Sequence, residues 1–169
     1  MDLYDLPVLY KVTYSINKDL RMLKGIPKLI TPQMLYTLSA MGHGDSVVLA
    51  DANFPAYRIS SGHTLVHLPD TSICELLRAL LTVFPLDHLH EHSGYVMEVD
   101  SEDQKRGVKT PLWQEYSEIL GTENNNSRQL LGSYSRAAFY EESLKAQLIV
   151  LTGECAPYAN LMLYKGVLN

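Results

Sequence analysis

Short apolar runs alternate along the chain with segments whose apolar residues recur at helical spacing. The run Val47–Ala50 has the length and the β-branched residues of a buried strand. The clearest helical stripe extends from Ile73 to Phe84, and Pro85 ends it. This alternation predicts a layered α/β domain rather than a β-sandwich or a helical bundle.

Two of the predicted helices carry recognisable start signals. Thr31 before Pro32 combines an N-cap hydroxyl with a proline at the first helical position, and Gly42 is expected to end that helix. Asp70 or Thr71 is expected to cap the helix that contains Ile73.

The remaining elements are shorter. Further strands are predicted at Thr64–Leu68, Tyr95–Val99, Leu131–Tyr134, Gln147–Leu151 and Asn160–Tyr164, and further helices at Pro111–Gly121 and Ala137–Ala146. The connection between the last two strands is too short for a crossover helix, so some antiparallel pairing is expected.

Residues 22–169 are interpreted as one domain that follows an N-terminal extension, residues 1–21. Within the extension, apolar and polar residues alternate from Tyr10 to Ile16, as in a strand. The pattern leaves open whether this segment is an edge strand, an arm that crosses to another subunit or a loosely packed tail.

The composition is that of an ordinary globular protein, with 46% apolar and 20% charged residues among 169. A net charge of −5 argues against a nucleic-acid partner. The two cysteines, without a CxxC spacing, suit a reducing compartment. No apolar segment reaches the ~18 residues of a membrane span, and no signal peptide is recognised. We therefore expect a cytoplasmic protein without a membrane partner.

Candidate chemistry centres on a glycine-rich turn and the strand behind it. Gly42 and Gly44 would let the backbone turn sharply and bring His43 close to a ligand. Asp51 follows the strand, at the end where open α/β sheets hold ligands. Meeting there, the two side chains would form an acid–base pair. A histidine in such a turn can equally be a cap or a packing residue, and both interpretations stay open.

Three later residues add groups that both donate and accept hydrogen bonds. Arg136 offers several donors, and Tyr158 and Asn160 offer a hydroxyl and an amide at the start of the final strand. Together with His43 and Asp51 they form a set typical of sugar recognition. The alternative for Tyr158 is a loop tyrosine whose hydroxyl is satisfied within the protein.

Motifs of other chemistries are missing from the sequence. It contains no G-x-G-x-x-G, no phosphate-binding loop and no G-x-S-x-G. The segment His88-Leu89-His90-Glu91-His92 resembles a metal cluster, and its histidines would share one face of a strand. No distant cysteine or paired carboxylate completes a ligand set. We therefore predict no metal site, with a metal at these histidines as the alternative.

The sequence resembles the fucose mutarotase and ribose pyranase family over residues 22–168. The resemblance rests on the order and spacing of several motifs, namely Lys24-Gly25-Ile26-Pro27, Met41-Gly42-His43-Gly44-Asp45, Leu49-Ala50-Asp51, Asn53-Phe54-Pro55-Ala56, Phe139-Tyr140-Glu141, Thr152-Gly153-Glu154, Tyr158-Ala159-Asn160 and Lys165-Gly166-Val167. The N-terminal extension and the histidine-rich segment 88–92 depart from the family pattern.

The resemblance implies a three-layer α/β/α fold with a mixed central sheet. It also implies a cofactor-free isomerase that interconverts the α and β anomers of a monosaccharide, in a ring-shaped homo-oligomer, typically a decamer, with sites shared between neighbouring subunits. The family's catalytic histidine falls on His43. Its substrate-binding residues fall on Asp51, Arg136, Tyr158, Ala159 and Asn160.

The residues fit this chemistry, because mutarotation needs one proton delivered to the ring oxygen and one removed from the anomeric hydroxyl. Arg136 and Phe139-Tyr140-Glu141 are similar to the fucose branch, whereas residues 153–160 look closer to the ribose branch. A side chain that touches the ligand discriminates more strongly than a loop, so Arg136 favours the fucose branch. The expected activity is L-fucose mutarotation; the alternatives are a D-ribose pyranase and a non-catalytic sugar-binding protein.

Overall fold

The computed structural model describes residues 23–123 and 130–168, so the predicted extension, residues 1–21, lies outside the described residues. Within these ranges the strands are β1 Ser46–Ala50, β2 Thr64–Leu68, β3 Gly94–Met97, β4 Leu131–Tyr134, β5 Leu148–Thr152 and β6 Leu161–Tyr164. The helices are α1 Pro32–Ala40, α2 Ala56–Ile59, α3 Ile73–Leu81, α4 Ser101–Lys105, α5 Leu112–Glu123 and α6 Arg136–Ser143.

The six strands form one mixed sheet in the order β2-β5-β1-β6-β3-β4. β1 lies near the centre, parallel to β5 and antiparallel to β6. The predicted antiparallel pairing is confirmed for β6, but its partners are β1 and β3 rather than β5. β1 lies between β5 and β6, because residues 153–160 cross its end instead of making a hairpin.

Helices cover both faces of the sheet, which confirms the three-layer α/β/α class. On one face Val47 and Leu49 pack in a buried cluster with residues of α1, α3 and α5. On the other face Val48 and Ala50 pack with residues of α2 and α6, among them Phe139. Because both faces of β1 are covered, all five of its residues are buried, as the continuous apolar run predicts.

α3 makes the largest helical contribution to this core. Ile73, Leu76 and Leu80 are fully buried, and each such side chain contributes about 1.5–3 kcal/mol relative to exposure. The predicted cap at Asp70 or Thr71 is wrong, because Ser72 caps the helix and its side chain accepts from Glu75 N. The Ser-x-x-Glu spacing of a capping box is the signal that identifies Ser72.

The other differences concern short or extended helices. The sequence analysis predicts neither α2 nor α4, because helices of four and five residues are too short to show a hydrophobic period. α5 continues past Gly121, where the predicted helix ends, to Glu123. The Thr31 cap is confirmed, with Met34 N donating to Thr31 Oγ1 at 3.1 Å.

In the described part of the chain, no helix combines the length and apolar character needed to cross a membrane. Cys74 is buried, Cys155 is exposed, and both are free thiols.

Candidate functional site

His43 lies in a turn that is anchored to the end of β6. Gly44 N donates to Lys165 O, and Lys165 N donates to Asp45 O, both at 2.8 Å. Gly44 has a φ of 83°, which a residue with a side chain adopts only at a cost. The turn therefore holds His43 at the amino end of β1, with 41% of its side chain exposed.

A buried carboxylate holds this imidazole. Asp87 Oδ1 lies 3.1 Å from His43 Nε2, and Asp87 Oδ2 contacts His90 Nδ1. Burial alone would raise the pKa of Asp87, but the N–H of Leu89 and the two imidazoles outweigh it and lower the pKa to about 2. His43, Asp87 and His90 are called the histidine cluster below, and its carboxylate is ionised near neutral pH.

Asp51 lies at the carboxyl end of β1, where it pairs with Asn160. Asn160 Nδ2 donates to Asp51 Oδ2 at 2.6 Å, and Asp51 N donates to Asn160 Oδ1 at 2.9 Å. Burial raises the pKa of Asp51, since its hydrogen-bond donors, Asn160 and the backbone of Asn53, are neutral and only partly oppose the loss of solvation.

The hydroxyl of Tyr158 joins several polar groups at the same end of the sheet. It donates to Asp103 Oδ2 at 2.7 Å and accepts from Arg136 Nη2 at 3.3 Å. Arg136 also pairs with Asp100 at 3.0 Å, with half of its side chain exposed. Burial and the bond to Asp103 raise the pKa of Tyr158, so its hydroxyl is neutral at physiological pH. Asp51, Asn160, Tyr158, Arg136 and Asp100 are called the carboxyl-end cluster below.

The backbone of residues 158–160 is held in place from α5. Tyr158 has a φ of 56°, in the left-handed region that few non-glycine residues adopt. Its carbonyl accepts from Trp113 Nε1 at 2.9 Å, and the carbonyl of Ala159 accepts from Tyr116 at 2.7 Å. Ala159 itself is fully buried.

The expectation that His43 and Asp51 meet within one chain is wrong. His43 precedes β1 and Asp51 follows it, so the two lie at opposite ends of a five-residue strand. At about 3.3 Å per residue, such a strand separates its two ends by roughly 16 Å. The structure thus unites Asp51, Asn160, Tyr158 and Arg136 and places His43 apart from them.

Comparisons with known proteins show which family has this fold and this residue pattern. The model of the RbsD / FucU transport protein family matches residues 24–168. The chain belongs to this family. A Homo sapiens protein named fucose mutarotase is 45% identical over 147 residues, which cover 86% of this chain and 94% of that protein.

Two solved structures of family members are similar along most of the chain. FucU from Bifidobacterium longum is 41% identical with a TM-score of 0.81, over 86% of this chain and all of that one. The fucose mutarotase from Streptococcus pneumoniae, solved in complex with L-fucose, is 39% identical with a TM-score of 0.78, over 87% of this chain and all of that one.

The histidine-rich segment of this family member contacts carboxylates and aromatic rings. His90 contacts Asp87 and stacks on Tyr164 at 4.0 Å between ring centroids. His92 meets Tyr95 edge-on at 5.4 Å. Over residues 23–123 and 130–168, no group of three or more His, Cys, Asp or Glu side chains is arranged to hold a metal ion.

Sequence reasoning missed Asp87 and Asp100, which belong to the two clusters, and Asp103, which accepts a hydrogen bond from Tyr158. Asp100 and Asp103 lie at the start of α4, where Asp100 Oδ1 accepts from Asp103 N at 2.9 Å. Recognising that short helix from its Asp100 cap would have indicated both. Asp87 follows Pro85-Leu86 without any motif, so its contact with His43, 44 residues away, had no local signal.

Proposed function

We propose that this protein is an isomerase that interconverts the α and β anomers of L-fucose. The observation that carries the proposal is the likeness to fucose mutarotases over nearly the whole chain. The site chemistry supports it, because the carboxyl-end cluster offers the mixture of donors, acceptors and charge that hydroxyl-rich ligands need.

The reaction requires proton transfer at two oxygens of the sugar. A proton is delivered to the ring oxygen and another is removed from the anomeric hydroxyl, so that the ring opens to the aldehyde. The aldehyde then recloses from its other face. The reaction involves no oxidation or reduction. A histidine can accept the proton of the anomeric hydroxyl and later return it to that oxygen, while water supplies the proton of the ring oxygen and takes it back on closure. In this proposal His43 moves the proton.

The carboxyl-end cluster is the proposed sugar-binding site. Arg136 donates through a half-exposed guanidinium, and Asp51 presents a carboxylate held on one side by Asn160. Tyr158 and Ala159 shape the loop from behind, since their carbonyls are occupied by side chains of α5. An incoming sugar hydroxyl would replace part of the contacts between Arg136, Tyr158 and Asp100.

We further propose that the active site is completed between subunits. His43 and the sugar-binding residues lie at opposite ends of β1, so a neighbouring copy must bring its histidine to the carboxyl-end cluster. A ring-shaped homo-oligomer, proposed as a decamer, satisfies this requirement through one repeated head-to-tail contact. Light scattering of the purified protein measures the number of subunits.

Sharing of the active site between subunits can be tested by mixing two inactive variants, His43→Ala and Asp51→Asn. If one subunit supplies His43 and its neighbour Asp51, randomly mixed oligomers regain about a quarter of wild-type exchange, because one site in four has both residues intact. A site within a single chain gives no recovery on mixing. Each variant alone is the control.

The activity itself is tested by saturation-transfer NMR between anomers. The wild-type protein should accelerate exchange of L-fucose and, more weakly, of D-ribose. A non-catalytic sugar-binding protein would perturb the sugar signals without accelerating exchange. A clear preference for D-ribose would favour the ribose pyranase alternative.

A further inference from the structure

The hydroxyl of Tyr158 has one hydrogen and two carboxylate oxygens near it. Asp103 Oδ2 lies 2.7 Å from the phenol oxygen, whereas Asp100 Oδ2 lies 3.3 Å away. Asp100 Oδ2 also accepts from Arg136 Nη2 at 3.0 Å. Because one hydrogen serves one acceptor and O–H···O bonds are typically about 2.7–2.8 Å long, the hydrogen of Tyr158 points to Asp103.

The phenol oxygen is left with lone pairs that can only accept. Arg136 Nη2 and Asp100 N both donate to it, each at 3.3 Å. Contacts of this length are weak, so a closer donor can replace either of them. A ligand group that approaches the phenol oxygen must therefore bring a hydrogen of its own.

The rest of Tyr158 is fixed by the protein around it. Its backbone has a φ of 56°, and its carbonyl accepts from Trp113 Nε1 at 2.9 Å. The residue is 9% exposed. The direction of the O–H bond is therefore the freedom that a neighbouring acceptor has to settle.

Asp103 is oriented for this task by polar contacts in and after α4. Its N–H donates to Asp100 Oδ1 at 2.9 Å, and its carbonyl accepts from Val108 N at 3.0 Å. The guanidinium of Arg106 lies 3.6 Å from Asp103 Oδ1. One carboxylate oxygen thus faces Arg106 and the other faces Tyr158. α4 has no buried residue, so a change of the Asp103 side chain does not disturb the core.

We propose that Asp103 is a positioning residue that determines sugar specificity, because it takes the hydrogen of Tyr158 and leaves an acceptor for one sugar hydroxyl. The proposal rests on the sugar-binding role proposed for the carboxyl-end cluster. Arg136, which can only donate, lies beside that acceptor. A hydroxyl between the two donates to Tyr158 and accepts from Arg136 at the same time. Fluorine or an ether oxygen in its place can only accept, so the site selects a free hydroxyl at one position of the sugar.

The selection can be measured with the 2-, 3- and 4-fluoro analogues of L-fucose, each of which lacks one hydroxyl donor. Isothermal titration calorimetry gives their affinities relative to L-fucose for the wild-type assembly and for Asp103→Asn. In the variant, the amide oxygen should face the donors of Arg106, so that the amide N–H₂ faces Tyr158. The hydrogen of Tyr158 is then free to turn toward the ligand.

Discrimination against one of the three analogues should therefore fall by about tenfold in Asp103→Asn, and discrimination against the other two should stay within about twofold. For L-fucose, KM should rise by about tenfold while kcat stays within about twofold, because Asp103 does not touch the reacting atoms. If Asp103 merely supported the loop, affinity for L-fucose and for all three analogues would fall alike. That result, or unchanged affinity ratios in the folded variant, would overturn the proposal.

Glu102→Gln is the matched control. It removes the neighbouring carboxylate of α4, which is exposed, and should leave KM and every affinity ratio unchanged. The same change of ratios in Glu102→Gln as in Asp103→Asn would assign the effect to the charge of α4 and would contradict the role of Asp103.

A second measurement needs no sugar. Burial and the bond to Asp103 raise the pKa of Tyr158, so in Asp103→Asn that pKa should fall. Titration by ¹³C NMR of labelled tyrosines measures it, with Tyr158→Phe to assign the signal. An unchanged pKa would show that Asp103 does not hold the hydrogen. Failure of wild type to bind or exchange any sugar would instead overturn the proposed function, while the titration would still decide where the hydrogen points.

Discussion

The two buried aspartates respond to burial in opposite ways. Asp51 and Asp87 are 7% and 4% exposed, and each accepts several hydrogen bonds. Yet the pKa of Asp51 is raised by burial, whereas that of Asp87 is lowered to about 2 despite burial. The donors explain the difference, because Asp51 has an amide and backbone N–H groups and Asp87 has two imidazoles as well.

This difference suits the two tasks proposed for the clusters. A carboxylate that stays ionised is a constant acceptor for His43. A carboxyl group with a raised pKa and a neutral partner is better suited to exchanging hydrogen bonds with sugar hydroxyls. Burial alone therefore does not predict the protonation of an acidic residue; the chemical nature of its partners does.

The largest effect is expected when the imidazole held by Asp87 is removed. His43→Ala should lower anomer exchange by about 10²–10⁴-fold, the usual contribution of a general acid or base. Fold and assembly should persist, because the side chain is partly exposed and lies outside the core. His67→Ala, at an exposed position of β2, is the control. Near-wild-type exchange in folded His43→Ala would remove His43 from the mechanism.

The opposite pKa shifts of Asp51 and Asp87 should also affect how the free energy of unfolding changes at acidic pH. The folded-state pKa of Asp87 is about 2 against a usual 3.8, so its stabilisation is present above pH 4 and lost as the pH falls toward 2. The free energy of unfolding of wild type, relative to that of Asp87→Asn, should fall by about 2 kcal/mol over this pH range. Urea unfolding at several pH values measures it.

Asp51→Asn is the matched variant for this experiment. Because the folded-state pKa of Asp51 is raised, its unfavourable contribution is removed as the pH falls through that pKa. Wild type should therefore gain stability relative to Asp51→Asn in acid, the opposite sign to the Asp87 pair. If acid changed the stability of wild type in the same direction relative to Asp51→Asn and to Asp87→Asn, the opposite pKa shifts of the two aspartates would be contradicted.

Within the carboxyl-end cluster, Arg136 should control the choice of sugar. Arg136→His should lower the preference for L-fucose over D-ribose by roughly tenfold, the effect of about 1.4 kcal/mol in differential binding. Arg78→His is a close control, since Arg78 also forms a 3.0 Å ion pair and is similarly exposed, but with Glu115. An unchanged sugar preference would show that residues 153–160 carry the discrimination.

The smallest effect is expected from deleting residues 1–21. Every proposed site residue and the Thr31 cap lie downstream, so exchange and assembly should both be retained. Exchange by NMR and mass by light scattering are the measurements. Dissociation of the assembly would show that the segment Tyr10–Ile16 is an assembly arm.

Local patterns predicted much of the fold because they depend on neighbours along the chain. The run Val47–Ala50 indicates a strand, and the apolar stripe on α3 indicates a buried helical face. The Thr31 cap indicates the start of a helix. Each of these signals lies within a single strand or a few helical turns. Together they were sufficient for the α/β class. The candidate residues Asp51, Arg136, Tyr158 and Asn160 came from residue chemistry and the family resemblance.

Only the tertiary structure decided which of these residues meet. A strand separates His43 from Asp51 although they are eight positions apart, whereas Asp87 reaches His43 from 44 positions away. The order of the strands controls both outcomes, because β6 returns antiparallel beside β1 and brings Lys165 to the turn of His43 and Asn160 to Asp51. Strand order is a property of non-local hydrogen bonding, which no periodicity along the chain encodes.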